Sequence, residues 1–258
     1  FYAGAATFDQ QVALYHCLTR KFPTFHQELH GLHILAVQGG SLPGVLTRTH
    51  PVHTLADLQG LRIRAPVELI GVLHELGADP VDMPMEQVYS GLAKGILDGV
   101  VAPPDTLRSL RFAEVAHYYW ELEIPRGAYP ARAIGERRWQ SLSAGDRALL
   151  TASENVWEAA MAQQIKAAVR AGTRFGRQEG VHFSPAAPDQ QARFDALYNR
   201  EAERSAARLG AYGIDGIGVF DYAREVAAGI QATGRVDCRS GGAAPSPADQ
   251  PRSGRADM

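Results

Sequence analysis

The sequence is sparing in several features that would assign a protein to a class at once. Cysteine occurs twice in 258 residues, as Cys17 and Cys238. Two such residues form neither a disulfide framework nor a metal-ligand pattern, and they are compatible with any redox compartment. No apolar run approaches the roughly 20 residues needed to cross a bilayer, which excludes direct membrane insertion through a helix. Charge of one sign is not in excess: 26 Lys and Arg stand against 28 Asp and Glu, for a net charge of −2. Such a balance gives no reason to expect nucleic acid or an anionic membrane surface as a partner. The start, Phe1-Tyr2-Ala3-Gly4-Ala5, has no initiator Met, no basic segment and no apolar segment, so no signal peptide is visible. Internal repeats and Gly-rich phosphate-binding motifs are absent.

What is present is ordinary globular material. Apolar residues make up 45% and charged residues 21%, and the length suffices for one large domain or two smaller ones. Asp9 is positioned to cap a helix over 10–22, ended by Pro23, and Thr24 with Gln27 reads as a capping box for a short helix reaching residue 30. The apolar run 34–37 predicts a buried strand, 39–44 a loop, and 45–47 a further strand. Thr54 and Asp57 cap a turn before the strand 61–65. A helix with Leu69, Ile70, Leu73 and Leu76 on its apolar face follows and is closed by Gly77 and Pro80. A second helix begins near Met85. Residues 100–101 read as a strand, and Asp105 as the cap of 106–110. Residues 115–124 read as a long strand, and 131–134 as another. Ser143 and Asp146 open the longest helix, to about residue 178. A strand at 181–184 and helices over 189–209 and 220–232 complete the order, and the composition after Val236 predicts a disordered tail to residue 258. Strands alternate with helices, so the class is α/β.

Several groups invite chemical readings. His26 and His30 stand four apart, with His33 near, a spacing that could hold zinc. Glu28, however, fits neither zincin pattern, and a polar helix surface is the simpler reading. Ser41 lies among glycines, but Gly-Gly-Ser-Leu-Pro is not a nucleophile elbow, and no His and acid can be assigned to it. Tyr118, Tyr119 and Trp120 read as core residues. In Gly60-Leu61-Arg62-Ile63-Arg64-Ala65-Pro66 the apolar residues alternate with Arg62 and Arg64, so both guanidinium groups leave by one face of a strand that Pro66 terminates. Alternation alone favours a solvated edge. The other reading is a carboxylate clamp at the end of a strand, because the guanidinium fork matches a carboxylate bidentately.

The stretch 54–98 resembles the solute-binding proteins of TRAP transporters, the DctP-type family. The resemblance rests on Asp57-Leu58-x-Gly60-Leu61-x-Ile63-Arg64-x-Pro66, on Leu76-Gly77-Ala78-x-Pro80-Val81-x-Met83-Pro84, on Val88-Tyr89-x-x-Leu92 and on Gly95-x-x-Asp98-Gly99, and it continues more weakly from Ala113 to about residue 232. It implies a periplasmic binding protein type II-like fold, with two α/β lobes, a hinge and a long bracing helix. One lobe would take 1–41 and 128–167, N-terminally incomplete because family members begin with a signal peptide and further strands. The second lobe would take 42–127 and 168–195, with C-terminal helices over 196–235 and the tail over 236–258.

The implied function is capture of a small organic acid in the periplasm and its delivery to small and large membrane subunits, without catalysis, cofactor or metal. The implied ligand-side residues are Arg64, which grips the carboxylate, with Met85, Gln87, Val101, Ala102 and Asp105. Arg62 holds no fixed binding role. The chain departs from the family at Gly44, where many members have a second arginine, and at Ala102, where they have asparagine. Met85 and Gln87 depart too, where an aromatic residue and Glu are frequent. These losses of polar groups point to a monocarboxylate with an apolar or aromatic body, such as an aryl or 2-oxo acid. The alternative is a small hydrolase or metal-dependent enzyme using Ser41 or the His26/His30 pair, or a nonfunctional fragment of a binding protein.

Overall fold

The computed structural model describes residues 5–238, which form two sheets and nine α-helices. The first helix, α1 (Phe8–Lys21), starts two residues earlier than Asp9 would place it. Thr7 and Gln10 form a complete capping box: Thr7 Oγ1 accepts from the Gln10 N–H, and Gln10 Oε1 accepts from the Thr7 N–H. Two orphan donors are satisfied together, where Asp9 could serve one. The box expected at Thr24 does not form. In α2 (Thr24–Glu28) Pro23 is the cap and makes no side-chain bond.

The chain then enters β1 (Leu32–Gln38), which pairs antiparallel with β7 (Tyr129–Gly135) in a two-stranded sheet. The second sheet has six strands in the order β4-β3-β5-β2-β6-β8, with β2 (Gly44–Thr47), β3 (Arg62–Arg64), β4 (Asp79–Val81), β5 (Gly99–Ala102), β6 (Tyr118–Glu121) and β8 (His182–Pro185). β2 runs antiparallel to both of its neighbours, and the other pairs are parallel. Two expectations change here. Pro80 does not merely close a turn: it sits in β4, an edge strand, where its missing N–H faces no partner. The long strand expected over 115–124 is a four-residue strand, because β2 and β8 pair only with 118–121 and residues 112–114 wind into a 3₁₀ turn.

Alternation along the strands divides the core in two. Val45, Ile63, Val101 and Trp120 face one side, under α3 (Val67–Glu75) and α8 (Pro188–Arg208). Leu46, Val100, Ala102 and Tyr119 face the other, under α4 (Met85–Ala93) and α5 (Thr106–Ser109). Tyr119 and Trp120 are core residues, as read from the sequence. After the short α6 (Glu136–Gln140), the longest helix, α7 (Ala144–Gln178), begins at Ser143, whose hydroxyl accepts from the Asp146 N–H. α7 packs on β1 near its middle and on α5 further along. Two glycines permit the second contact. A Cβ on Gly172 would strike the Pro104 carbonyl oxygen and stand 2.6 Å from Asp105 Cα, and one on Gly176 would stand 2.8 Å from Leu107 Cδ1. Finally α9 (Gly216–Thr233), capped by Asp215, packs on α1.

The cysteines correct the reading of the sequence: Cys17 and Cys238 are disulfide-bonded across a separation of 221 residues. Their Cα atoms lie 5.2 Å apart because α9 folds back onto α1 and turns the following segment toward it. The tail expected over 236–258 therefore holds Val236 and Cys238 against that cluster, while 239–258 lie outside the described residues, as do 1–4.

Two stability measurements follow. Gly172→Val is expected to destabilise the protein by about 1–3 kcal/mol in urea unfolding, through overpacking against backbone. Replacing both cysteines by alanine is expected to lower stability by about 2–5 kcal/mol, with a reducing agent reproducing that loss on the unaltered chain and having no effect on the double variant.

Candidate functional site

The site is built outward from β3. Ile63 is fully buried between the two arginines. Arg62 is more than half exposed and pairs with Asp79 at 3.4 Å, a surface ion pair that contributes little. Arg64 ends the strand and is half-buried. Its Nε donates to the Met83 carbonyl at 2.9 Å, in the turn that leads into α4. Among the described residues its two terminal nitrogens make no hydrogen bond. The guanidinium is thus fixed by one edge and presents the other.

Met85 opens α4 and packs partly buried on the second core, and Gln87 is exposed two residues past it on the same helix. Val101 and Ala102 are buried to opposite faces of β5. Asp105 stands at the start of α5 but makes no cap bond. Its Oδ1 accepts from the Ser41 hydroxyl at 3.3 Å instead. Arg64, Met83 and Met85 therefore meet at one point, and Ala102, Asp105, Ser41 and Gly44 at another, joined through the pairing of Arg64 with Val100 and of Ala102 with Gly44.

At Gly44 the structure leaves no room for a side chain. A Cβ there would collide with the Trp120 carbonyl oxygen and lie 2.9 Å from the Tyr119 hydroxyl oxygen. That hydroxyl accepts from the Gly44 N–H at 2.9 Å and donates to the Ala102 carbonyl at 3.0 Å. Burial pushes the Tyr119 phenol far up, so it stays neutral. Reading the sequence for the site passed over Tyr119. The signal was a glycine in a strand, which marks close approach by a neighbour.

A cavity of about 810 Å³ opens beside this point. Its walls come from Gly40, Ser41 and Gly44, from Pro104, Tyr119 and Glu121, from Ile165, Lys166, Val169 and Arg170 on α7, and from the start of α8. The buried Gln11 side chain holds its rim, accepting from the Gly40 N–H and donating to the Gly40 carbonyl. None of the six expected ligand-side residues lines this cavity. Lys166 pairs with Asp9 at 3.4 Å, and Arg170 has no hydrogen bond or ion pair among the described residues.

The groups that suggested an enzyme are not assembled. α2 ends at Glu28, so His26 and His30 do not share a helix face. His33 stacks on Trp139 with ring centres 3.7 Å apart. No histidine hydrogen-bonds Ser41 among the described residues.

Two α/β units bridged by one long helix, with a cleft beside the bridge, have the fold of the TRAP periplasmic solute-binding proteins. One such protein, from Rhodoferax ferrireducens and in complex with copurified benzoate, superimposes with a TM-score of 0.78 over 91% of this chain and 74% of that one, at 18% identity. The chain belongs to the DctP family, bacterial extracellular solute-binding protein family 7, which matches residues 18–208. A solute-binding protein of Roseobacter denitrificans is 36% identical over 107 residues, 41% of this chain and 33% of that protein. The 2,3-diketo-L-gulonate-binding periplasmic protein of Escherichia coli is 35% identical over 102 residues, 38% of this chain and 30% of that protein. These matches span about a third of the length of either relative. The family is extracytoplasmic and one of binding proteins, and among the described residues no helix is long and apolar enough to cross a membrane.

Tyr119→Phe is expected to keep the packing and leave the Gly44 N–H buried without an acceptor. A loss of about 1–3 kcal/mol in denaturant unfolding checks this.

Proposed function

We propose that the protein is the periplasmic solute-binding subunit of a TRAP transporter, and that it captures a small monocarboxylate and delivers it to the small and large membrane subunits. The observation that carries this reading is the half-buried Arg64 guanidinium, tethered by its Nε to Met83 with its terminal nitrogens unpaired. A carboxylate satisfies both nitrogens and the charge at once. Met85, Gln87, Val101, Ala102 and Asp105 are assigned to the ligand side. Asp105 holds Ser41, which lines the cavity. One lobe takes 1–41 and 128–167, the other 42–127 and 168–195, with the C-terminal helices over 196–235 packed across both, and closure about the crossing segments buries the ligand against Arg64.

The apolar Met85 and the buried neutral phenol at Gly44 favour a monocarboxylate with an apolar or aromatic body, an aryl or 2-oxo acid, over a dicarboxylate. Benzoate in the Rhodoferax ferrireducens protein and 2,3-diketo-L-gulonate for the Escherichia coli protein are both monocarboxylates. The disulfide agrees with an oxidising compartment.

Titration calorimetry with benzoate, mandelate and pyruvate against succinate and D-glucuronate tests the reading. An aryl or 2-oxo monocarboxylate is expected to bind, with Arg64→Ala weakening it roughly 10- to 100-fold. Binding of dicarboxylates alone overturns the ligand class. A loss in Arg170→Ala without one in Arg64→Ala moves the anchor to the α7 side of the cleft.

A further inference from the structure

On the side of α1 away from the cleft, three metal-ligating side chains converge from two helices. His16 comes from α1, and Glu154 and Glu158, one helical turn apart, come from α7. One ligand atom from each lies within 4.8 Å of the other two. His16 Nε2 and a Glu158 carboxylate oxygen stand 3.6 Å apart. Donors around a tetrahedral zinc ion lie about 3.4 Å apart for bonds of about 2.1 Å, so small side-chain rotations close the set around one ion.

We propose that His16, Glu154 and Glu158 form a site for a divalent first-row metal ion of the zinc type, which clips α1 to α7. One imidazole and two carboxylates are a donor set such ions accept, with water in the fourth position. The charges balance: two carboxylates neutralise a dication, which in turn removes their mutual repulsion. Glu158 is oriented for the role, since its Oε1 also accepts from the Val37 N–H at 2.8 Å on β1. Such an outer hydrogen bond fixes a ligating carboxylate. Glu154 accepts no hydrogen bond and forms no ion pair among the described residues, so the one contact that a bound ion replaces is that of His16 with Glu158. Arg20 lines a neighbouring cavity together with His16 and Glu154, and its own hydrogen bonds go to Cys238 Sγ at 3.1 Å and to the His16 carbonyl. A cavity of about 460 Å³, lined by His16 and Glu154 among others, gives the ion a way in. The site is independent of the solute cleft, and either assignment can fail without the other.

The test is calorimetric titration of zinc chloride into the full chain after chelator treatment, followed by thermal unfolding with and without zinc. One zinc per chain and a raised Tm are expected. His16→Gln and Glu154→Gln should each weaken binding at least about tenfold and abolish the rise in Tm, while His26→Ala/His30→Ala leaves both unchanged. Glu154→Gln touches no structural hydrogen bond, so it reports on the site even where His16→Gln disturbs folding. Absence of zinc binding to the unaltered chain, wild-type affinity in Glu154→Gln, or loss only in the His26/His30 variant each overturns the proposal.

Discussion

The contact on which the cleft depends is one where a side chain has no room: Gly172 of α7 against the Pro104 carbonyl. At 35 residues α7 is about 52 Å long. Its middle packs on the two-stranded sheet, where Ala162 and Ile165 meet Val37. About two turns past that contact it must also lie against the segment that leaves β5. A helix can serve both only if it approaches backbone to backbone at the second place, which Gly172 and Gly176 allow. The position of α7 therefore fixes Pro104 and Asp105, and through them Ser41 and the rim of the cavity. The glycines carry a helix-propensity cost of about 1 kcal/mol each, which the packing they permit offsets.

The electrostatics of the site follow from a second exclusion. Because the Trp120 carbonyl and the Tyr119 hydroxyl crowd Gly44, no cation can occupy that position. The phenol is held neutral by burial and spends its one donor and one acceptor on the backbone of Ala102 and Gly44. Of the two arginines of β3, Arg62 pairs with Asp79 in solvent, and the terminal nitrogens of Arg64 make no hydrogen bond among the described residues. One guanidinium recognises one carboxylate well. Its Nε bond to Met83 restricts the rotamers of the Arg64 side chain.

The order of strands and helices was legible because most of its signals are local. The alternation in 61–65, the Ser143 cap and the apolar face of α3 each specify a structure within one or two turns of chain. The readings that changed depended on distant partners. β6 is short because its neighbours are short, and β4 exists only because β3 offers an edge to pair with. Cys17 and Cys238 look unrelated at a separation of 221 residues until α9 returns to α1. The site divides the same way. Arg64 was visible from its motif and its strand period, whereas Tyr119 reads as plain core until Gly44 is placed against it across the β2–β6 ladder.

The same distinction explains why α1 carries more than its cap and its closing Pro23 suggested. Its fourteen residues point three ways. Gln11, fully buried, clamps Gly40 at the cleft rim. Val12 and Tyr15 pack toward β1 and α7, and Leu14, Cys17 and Leu18 pack toward α9. A helix buried on so many sides cannot shift on one without straining the others, since close-packed interiors transmit displacement. α1 thereby ties the rim of the cleft to the C-terminal helices, and the disulfide, which closes most of the chain into one loop, acts on the unfolded state to favour that arrangement. A single polar residue on a mostly apolar helix face, Gln11, is what converts this packing into a fixed position for the cleft: its amide matches both backbone polar groups of one residue, and an apolar residue of equal size would leave the Gly40 N–H and carbonyl buried and unpaired.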